Sequence, residues 1–171
     1  MILGCSQNGC SEDAVRLFTR MYKENVRPDS FTLVSVIQAL ADISDPLQAR
    51  CIHGYSIKLH LDHDGYVLTA LIYMYAKCSC ATIARTLFSS ARERHVFTWN
   101  PMIHGYSSHG FGKVVVELFE EMKSIGIAPN ETTFLSVLSA CSHAGLVDEG
   151  WKYFTSVKED YGLEPGKLDE E

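Results

Sequence analysis

The hydrophobic residues of this chain recur at intervals of three and four, which is the spacing of one face of an α-helix. The clearest stretch is 96–130, where two apolar stripes flank a polar, glycine-containing break at 107–110. The stripes consist of Trp99, Met102, Ile103 and Tyr106, then Val115, Leu118, Phe119 and Met122. Gly126 then supplies a C-cap and Pro129 blocks continuation. The pattern predicts a pair of amphipathic helices, and strand-like alternation is not sustained anywhere.

The chain also repeats itself, most clearly at a shift of 101 residues. The residues that recur at that shift include Met1, Ile2, Gly4, Ser6, Gly9, Val15, Leu17, Phe18, Met21, Pro28, Thr32, Ser35, Val36 and Ala39. Turn signals divide this long period into shorter units, at Pro28-Asp29, His63-Asp64, Arg94-His95 and Pro129-Asn130. The predicted units are 1–29, which lacks its beginning, then 30–64, 65–95, 96–130 and 131–165, with a divergent tail at 166–171.

A single short helix pair cannot bury both of its faces, so neighbouring pairs must stack. The hydrophobic content of 46% with 21% charged residues is typical of a folded protein. No apolar run reaches the roughly 20 residues that a membrane span needs, so no membrane association is expected. The start, MILGCSQNGC, has the features of neither a secretory signal nor an organellar transit peptide.

Sequence motifs for catalysis are absent. The six cysteines form no CxxC pair, so reduced, structural thiols are expected. The two histidines of His60-Leu61-Asp62-His63 lie in a predicted loop without further ligands, so no metal is expected. No histidine is followed two residues later by Glu, and no Gly-rich phosphate loop or Ser-centred nucleophile motif occurs. The chain is predicted to have no catalytic residues, no cofactor and no small-molecule substrate.

Several segments resemble pentatricopeptide repeats, and in particular the plant PLS arrangement of standard, long and short variants. They are WNPMIHGYSSHG (99–110), VELFEEMKSIGIAPN (116–130), LIYMYAKCSCATIARTLF (71–88) and FLSVLSACSHAGLVDEGWKYF (134–154). The resemblance implies an all-α fold, an α-solenoid of stacked helix-turn-helix hairpins forming a right-handed superhelix. It makes 1–29 and 96–130 standard repeats, 30–64 and 131–165 long ones, and 65–95 a short one.

The resemblance also implies recognition of single-stranded RNA, one base per repeat. In 96–130 it assigns base recognition to Asn100 with the closing residue Asn130, a pair that prefers pyrimidines, cytidine more often than uridine. In 65–95 it assigns Thr69, which favours purines, with His95 in place of the usual Asp or Asn. Base stacking falls to Phe31, Tyr66 and Phe97.

The long repeats are expected to act as spacers, because Val34, paired with Asp64, and Leu135, paired with a residue near Pro165 or Gly166, cannot hydrogen-bond a base edge. Asp29 closes the truncated unit without a partner. Lys77 resembles the phosphate contact of the family, whereas the equivalent places hold Gln7, Asp42, Ser108 and His143. The formal net charge of −6 weakens non-specific attraction to a polyanion.

Three functional hypotheses follow. The first is an RNA-binding part of a larger protein of plant mitochondria or chloroplasts that directs C-to-U editing or related modification, with other pentatricopeptide repeat (PPR) or editing-factor proteins as expected partners. The second is a protein-interaction scaffold, and the third an inactive fragment. From residue chemistry alone, Asn100 is equally a polar residue at a helix start, the three aromatics are core residues, and Lys77 is a solvated surface residue.

Overall fold

A computed structural model describes residues 1–91 and 94–159, and the regular structure in those ranges is entirely helical. The helices are α1 (Ile2–Gln7), α2 (Ser11–Lys23), α3 (Ser30–Ile43), α4 (Pro46–Lys58), α5 (Gly65–Lys77), α6 (Ala81–Ser90), α7 (Val96–Ser108), α8 (Gly112–Ser124), α9 (Glu131–Ala144) and α10 (Val147–Glu159). They fall into two compact units, Met1–Glu93 and Arg94–Glu171. None of these helices combines the length and the apolar character needed to cross a bilayer.

Most of the odd-numbered helices begin at a polar residue whose side chain accepts hydrogen bonds from the first turn. Asp29 does so for α3, Asp64 for α5 and Asn130 for α9. Bonds from the hydroxyl and the backbone of Thr32 lower the pKa of Asp29, so the carboxylate stays an acceptor. His95 precedes α7 and makes no side-chain capping bond.

Glycines in the left-handed region end two of the helices of the second unit. Gly126 follows α8 with a φ of +80°, at the position expected from the sequence, and Gly145 follows α9 with a φ of +66°. The expected break at 107–110 begins later than predicted, because α7 continues through Ser108. The Ser107 hydroxyl donates to the backbone carbonyl of Ser136 at 2.8 Å, so this polar side chain has a partner although it is buried.

In the first unit, α3 lies between α1 and α5, and α2, α4 and α6 pack against these helices. The core of this unit is aliphatic and fully buried at Leu33, Ile37, Leu71, Ile72 and Met74. A second feature is an open cavity of about 550 Å³ between α2, α3 and α4. Its walls include the aromatic rings of Phe18, Tyr22 and Tyr55, and Arg50 and Lys58 also line it.

In the second unit, α7 packs beside α9, α8 packs against both of them, and α10 packs against α9. The apolar stripes predicted for α7 and α8 are buried, apart from Tyr106, which is half-buried. The Phe119 ring stacks edge-on against Phe134 and Tyr153, with centroid distances of 5.4 and 5.0 Å. The Tyr153 hydroxyl donates to Glu120 Oε1 at 3.0 Å, which joins α10 to α8.

The start of α8 lies very close to the end of α9. A Cβ atom added at Gly112 would overlap Ala144 Cβ and would lie 2.9 Å from the carbonyl oxygen of Ala140. A side chain at this position is therefore incompatible with the observed approach, and glycine is required.

Candidate nucleic-acid interface

The amides of Asn100 and Asn130 are in direct contact. Asn100 Nδ2 donates to Asn130 Oδ1 at 3.0 Å. The backbone N–H of Thr133 also donates to Asn130 Oδ1 at 3.0 Å, and the N–H of Asn130 donates to the Thr133 hydroxyl oxygen at 3.1 Å. That hydroxyl lies 2.7 Å from Asn100 Oδ1 and 2.9 Å from Asn130 Oδ1. The three residues form one network in which both amides are half-buried.

The local fold explains why these two asparagines meet. Asn100 lies on the early part of α7, and Asn130 is the N-cap of the neighbouring helix α9. Gly126 and the buried Pro129 end α8 and return the chain to the start of α9. Because α7 and α9 pack side by side, the closing residue of one hairpin comes next to the first helix of the same hairpin.

Large aromatic side chains are exposed at the second residue of α3, α5 and α7, each of which is the first helix of its hairpin. The exposed fraction is 63% for Phe31 on α3, 81% for Tyr66 on α5 and 75% for Phe97 on α7. Exposure of this degree argues against the alternative that these rings belong to the core, because core aromatics of this chain such as Phe119 are fully buried. Such rings are available for stacking on a planar ligand.

The two residues of the second predicted reading pair fall in different units. The Thr69 hydroxyl donates to the backbone carbonyl of Gly65 within its own helix at 2.7 Å. Thr69 is half-buried and belongs to the first unit, whereas His95 is exposed and belongs to the second.

The pairs of the long repeats offer little chemistry at the corresponding positions. Val34 is half-buried, and Asp64 accepts from the backbone N–H groups of Tyr66 and Val67 at 3.0 and 3.1 Å. Leu135 is exposed. Its proposed closing partner near Pro165 or Gly166 lies outside the described residues.

Lys77 ends α5 with its ammonium group 6.0 Å from the centroid of the Tyr73 ring. This distance is at the outer limit of a cation–π contact, so the charge stays available for other partners. The equivalent residues on α1, α3, α7 and α9 are Gln7, Asp42, Ser108 and His143, all of which are exposed. Asp42 also accepts a hydrogen bond from the Ser11 hydroxyl at 3.1 Å. The described part of the chain contains no cluster of three or more His, Cys, Asp or Glu suited to a metal ion.

Thr133 is the functional candidate that the sequence reasoning missed. Its signal in the sequence is the spacing Asn-x-x-Thr immediately before an apolar helix, which is a variant of the capping box. That signal predicts the bonds between Asn130 and Thr133. The bond from Thr133 to Asn100 crosses between two helices and has no local signature.

The cysteines are expected to differ strongly in reactivity, because the thiolate is the nucleophilic form. Burial raises the pKa of the Cys78 thiol to about 11, with Cys80 and Asp45 adding to the shift, whereas Cys10 and Cys51 are exposed. Iodoacetamide at neutral pH should therefore modify Cys10 and Cys51 well before Cys78. Peptide mass spectrometry over a time course measures the order. Equal rates at Cys51 and Cys78 in the folded chain would contradict it.

Comparison with known proteins supplies the family context of this geometry. A model described as the PPR repeat family matches residues 1–42 and 94–143, and a second, described as PPR repeat, matches 132–161. The chain is 53% identical over 164 residues to the chloroplastic pentatricopeptide repeat-containing protein At1g11290 of Arabidopsis thaliana, covering 96% of this chain and 20% of the relative. It is 43% identical over 155 residues to the mitochondrial protein At3g02330 of the same species, covering 91% and 17%.

Among solved structures, the chain is similar to the pentatricopeptide repeat protein PPR10 from maize, with a TM-score of 0.69 and 23% identity, covering 96% of this chain and 24% of that one. The crystal structure of PPR10 in complex with an 18-nt psaJ RNA element gives the same TM-score at 19% identity, covering 87% and 22%. These matches confirm the predicted class, the all-α fold of helical-repeat solenoids. The chain spans about a fifth of the length of the curated relatives it matches.

Proposed function

This chain belongs to the pentatricopeptide repeat family, and we propose that it binds single-stranded RNA, with Asn100 and Asn130 recognising one base. The observation that carries the proposal is the joined pair of amides on α7 and α9, which offers hydrogen-bonding groups within one hairpin. The exposed ring of Phe97, three residues before Asn100, supplies a surface for stacking on the same base. The RNA complex of the similar PPR10 fold supports RNA as the ligand class.

The other elements of the interface have secondary roles in this proposal. Thr69 in the first unit and His95 in the second each contact a base, Tyr66 and Phe31 stack, and Lys77 contacts a phosphate. Val34 and Leu135 belong to repeats that space the readers, because neither side chain can donate or accept a hydrogen bond. The division into PLS-type repeats at 1–29, 30–64, 65–95, 96–130 and 131–165 is part of the same proposal, since α3, α5, α7 and α9 begin at residues 30, 65, 96 and 131.

The chain acts as an RNA adaptor inside a longer organellar protein, in a chloroplast or a mitochondrion, where it directs C-to-U editing or a related modification. The chloroplastic and mitochondrial names of the relatives support an organelle. The catalytic step belongs to another domain or another protein, because the motifs for deamination do not occur in this sequence.

Asn100→Ala tests the proposal. Binding of the full chain to fluorescent rC, rU, rA and rG oligonucleotides is measured by anisotropy at low salt, and homopolymers remove any dependence on register. The variant should bind rC about fivefold more weakly, which corresponds to one lost hydrogen bond of about 1 kcal/mol, and should lose the preference for pyrimidines.

Asn8→Ala is the matched control, because Asn8 is exposed, directly follows α1, and its amide donates to the backbone carbonyl of Gly4 in that helix. It should leave RNA binding unchanged. No RNA binding by the unaltered chain, or an equal response to the two alanine substitutions, would overturn the proposal.

The second candidate, a protein scaffold, is favoured by the aromatic cavity between α2, α3 and α4, and it predicts that RNA binding is absent while a protein partner is retained.

A further inference from the structure

We infer that Thr133, the third residue of α9, is a positioning residue that fixes the orientation of the Asn100 amide and so sets which base the Asn100–Asn130 pair accepts. The inference rests on the proposed RNA-reading function of that pair. Thr133 is not itself a member of the pair, and its side chain is fully buried.

Backbone chemistry fixes the first amide of the network. The N–H of Thr133 can only donate, and the atom of Asn130 that it contacts at 3.0 Å must therefore be the oxygen. The atom of Asn100 that faces this oxygen at 3.0 Å must then be Nδ2, because two acceptors would repel each other. The orientation of Asn100 is in this way derived from a single backbone donor, the N–H of Thr133, 33 residues away in the chain.

The Thr133 hydroxyl supplies the second constraint on Asn100. Asn130 Oδ1 already accepts from Asn100 Nδ2 and from the Thr133 N–H, which occupies both of its lone pairs. The single hydroxyl proton is therefore directed to Asn100 Oδ1, at the shorter distance of 2.7 Å. With one bond at each end of its amide, Asn100 is held against rotation. Without the hydroxyl, only the bond to Asn130 remains.

The fixed orientation determines what the pair offers to a base. Asn100 Nδ2 keeps one further N–H, and Asn130 Nδ2 keeps both, with no protein partner among the described residues. Asn100 Oδ1 keeps one lone pair. Three donors and one acceptor can pair with the two adjacent acceptors of cytosine, O2 and N3, and with its N4 donor, whereas the edge of uracil alternates acceptor, donor and acceptor. A rotated Asn100 would present its oxygen toward this edge and would lose the complementarity.

Helix capping alone does not account for Thr133. At the start of α5 the same position is Val67, and Asp64 caps that helix through backbone N–H groups only. The hydroxyl is thus dispensable for a cap in this fold. At Thr133 it additionally contacts Asn100 on another helix, and burial prevents water from replacing it.

The test is Thr133→Val, which removes the hydroxyl with little change in shape. The ratio of rC to rU affinity of the full chain should fall about threefold or more, because the Asn100 amide is no longer held. In ¹H–¹⁵N spectra of the RNA-free protein, the side-chain amide signals of Asn100 should shift and exchange faster. Thr133→Ser keeps the hydroxyl and should retain both the affinity ratio and the amide signals.

Thr32→Val is the matched control. The Thr32 hydroxyl donates to Asp29 at 2.6 Å at the start of α3, where no asparagine partner takes part, so base preference should not change. A Thr133→Val variant that weakens all four oligonucleotides equally, or unshifted Asn100 amide signals, would overturn the inference by itself. Absence of RNA binding by the unaltered chain would overturn the proposed function and the claim about base preference, while the spectra would still report whether the hydroxyl orients Asn100.

Discussion

Phe119→Ala is expected to lower the free energy of unfolding by about 3–5 kcal/mol, the largest effect of any substitution considered for this chain. Phe119 lies on α8, is fully buried, and packs edge-on between Phe134 of α9 and Tyr153 of α10. Truncation leaves a cavity where α8, α9 and α10 meet and removes two favourable ring pairs. Urea denaturation of the full chain, followed by circular dichroism, measures the loss.

Phe97→Ala is the matched control, since it makes the same chemical change within the same unit. The Phe97 ring is mostly exposed, so the expected change in stability is within about 0.5 kcal/mol. Similar losses for the two variants would show that Phe97 is a core residue, and they would contradict the role of its ring as a stacking surface.

Gly112→Ala is expected to destabilise the second unit by about 2–3 kcal/mol, although alanine is ordinarily the better helix former. The added methyl group would overlap Ala144 Cβ and approach the Ala140 carbonyl oxygen to 2.9 Å. Since the neighbouring carbonyl belongs to the backbone of α9, relief requires α8 and α9 to move apart. Thermal and urea unfolding of the variant measure the cost.

Gly150→Ala is the control for this substitution. Gly150 lies within α10, and a Cβ atom there would meet only Cys141 Cβ at 3.5 Å, which is an ordinary van der Waals contact. The replacement should be neutral or should stabilise the chain by about 0.5–1 kcal/mol, because alanine restricts the unfolded chain. A loss at Gly150 equal to that at Gly112 would refute the explanation based on close approach.

Local signals in the sequence were sufficient to predict the helical hairpins. The apolar stripe of α8, from Val115 to Met122, predicted its buried face, and Gly126 marked its end, because both depend on residues within a few positions of each other. The end of α7 was predicted too early: Ser107 and Ser108 belong to the helix, and the hydroxyl of Ser107 bonds to Ser136, a residue of another helix. Long-range bonds of this kind leave no periodic pattern.

The candidate site shows the same difference between features that the sequence predicts and long-range hydrogen bonds that it does not predict. The resemblance to known repeats paired Asn100 with Asn130, and the packing of α7 beside α9 brings their amides to 3.0 Å. The contribution of Thr133 could not be predicted, because it depends on the direction of a single hydroxyl proton between two side chains. The hydroxyl of Thr69, by contrast, is engaged within its own helix turn, which sequence reasoning did not consider.

The capping role of Asn130 limits how this junction could be altered by evolution or by design. The oxygen that satisfies the first turn of α9 belongs to the side chain that is proposed to meet the base, so a replacement that preserves the cap has to retain an acceptor at that point. Asp, Ser and Thr do so, whereas alanine would forfeit about 1 kcal/mol of helix stability before any nucleotide is encountered. Few residues at position 130 could therefore retarget this repeat without a loss of stability, because the requirement for a helix cap limits the choice before base recognition does.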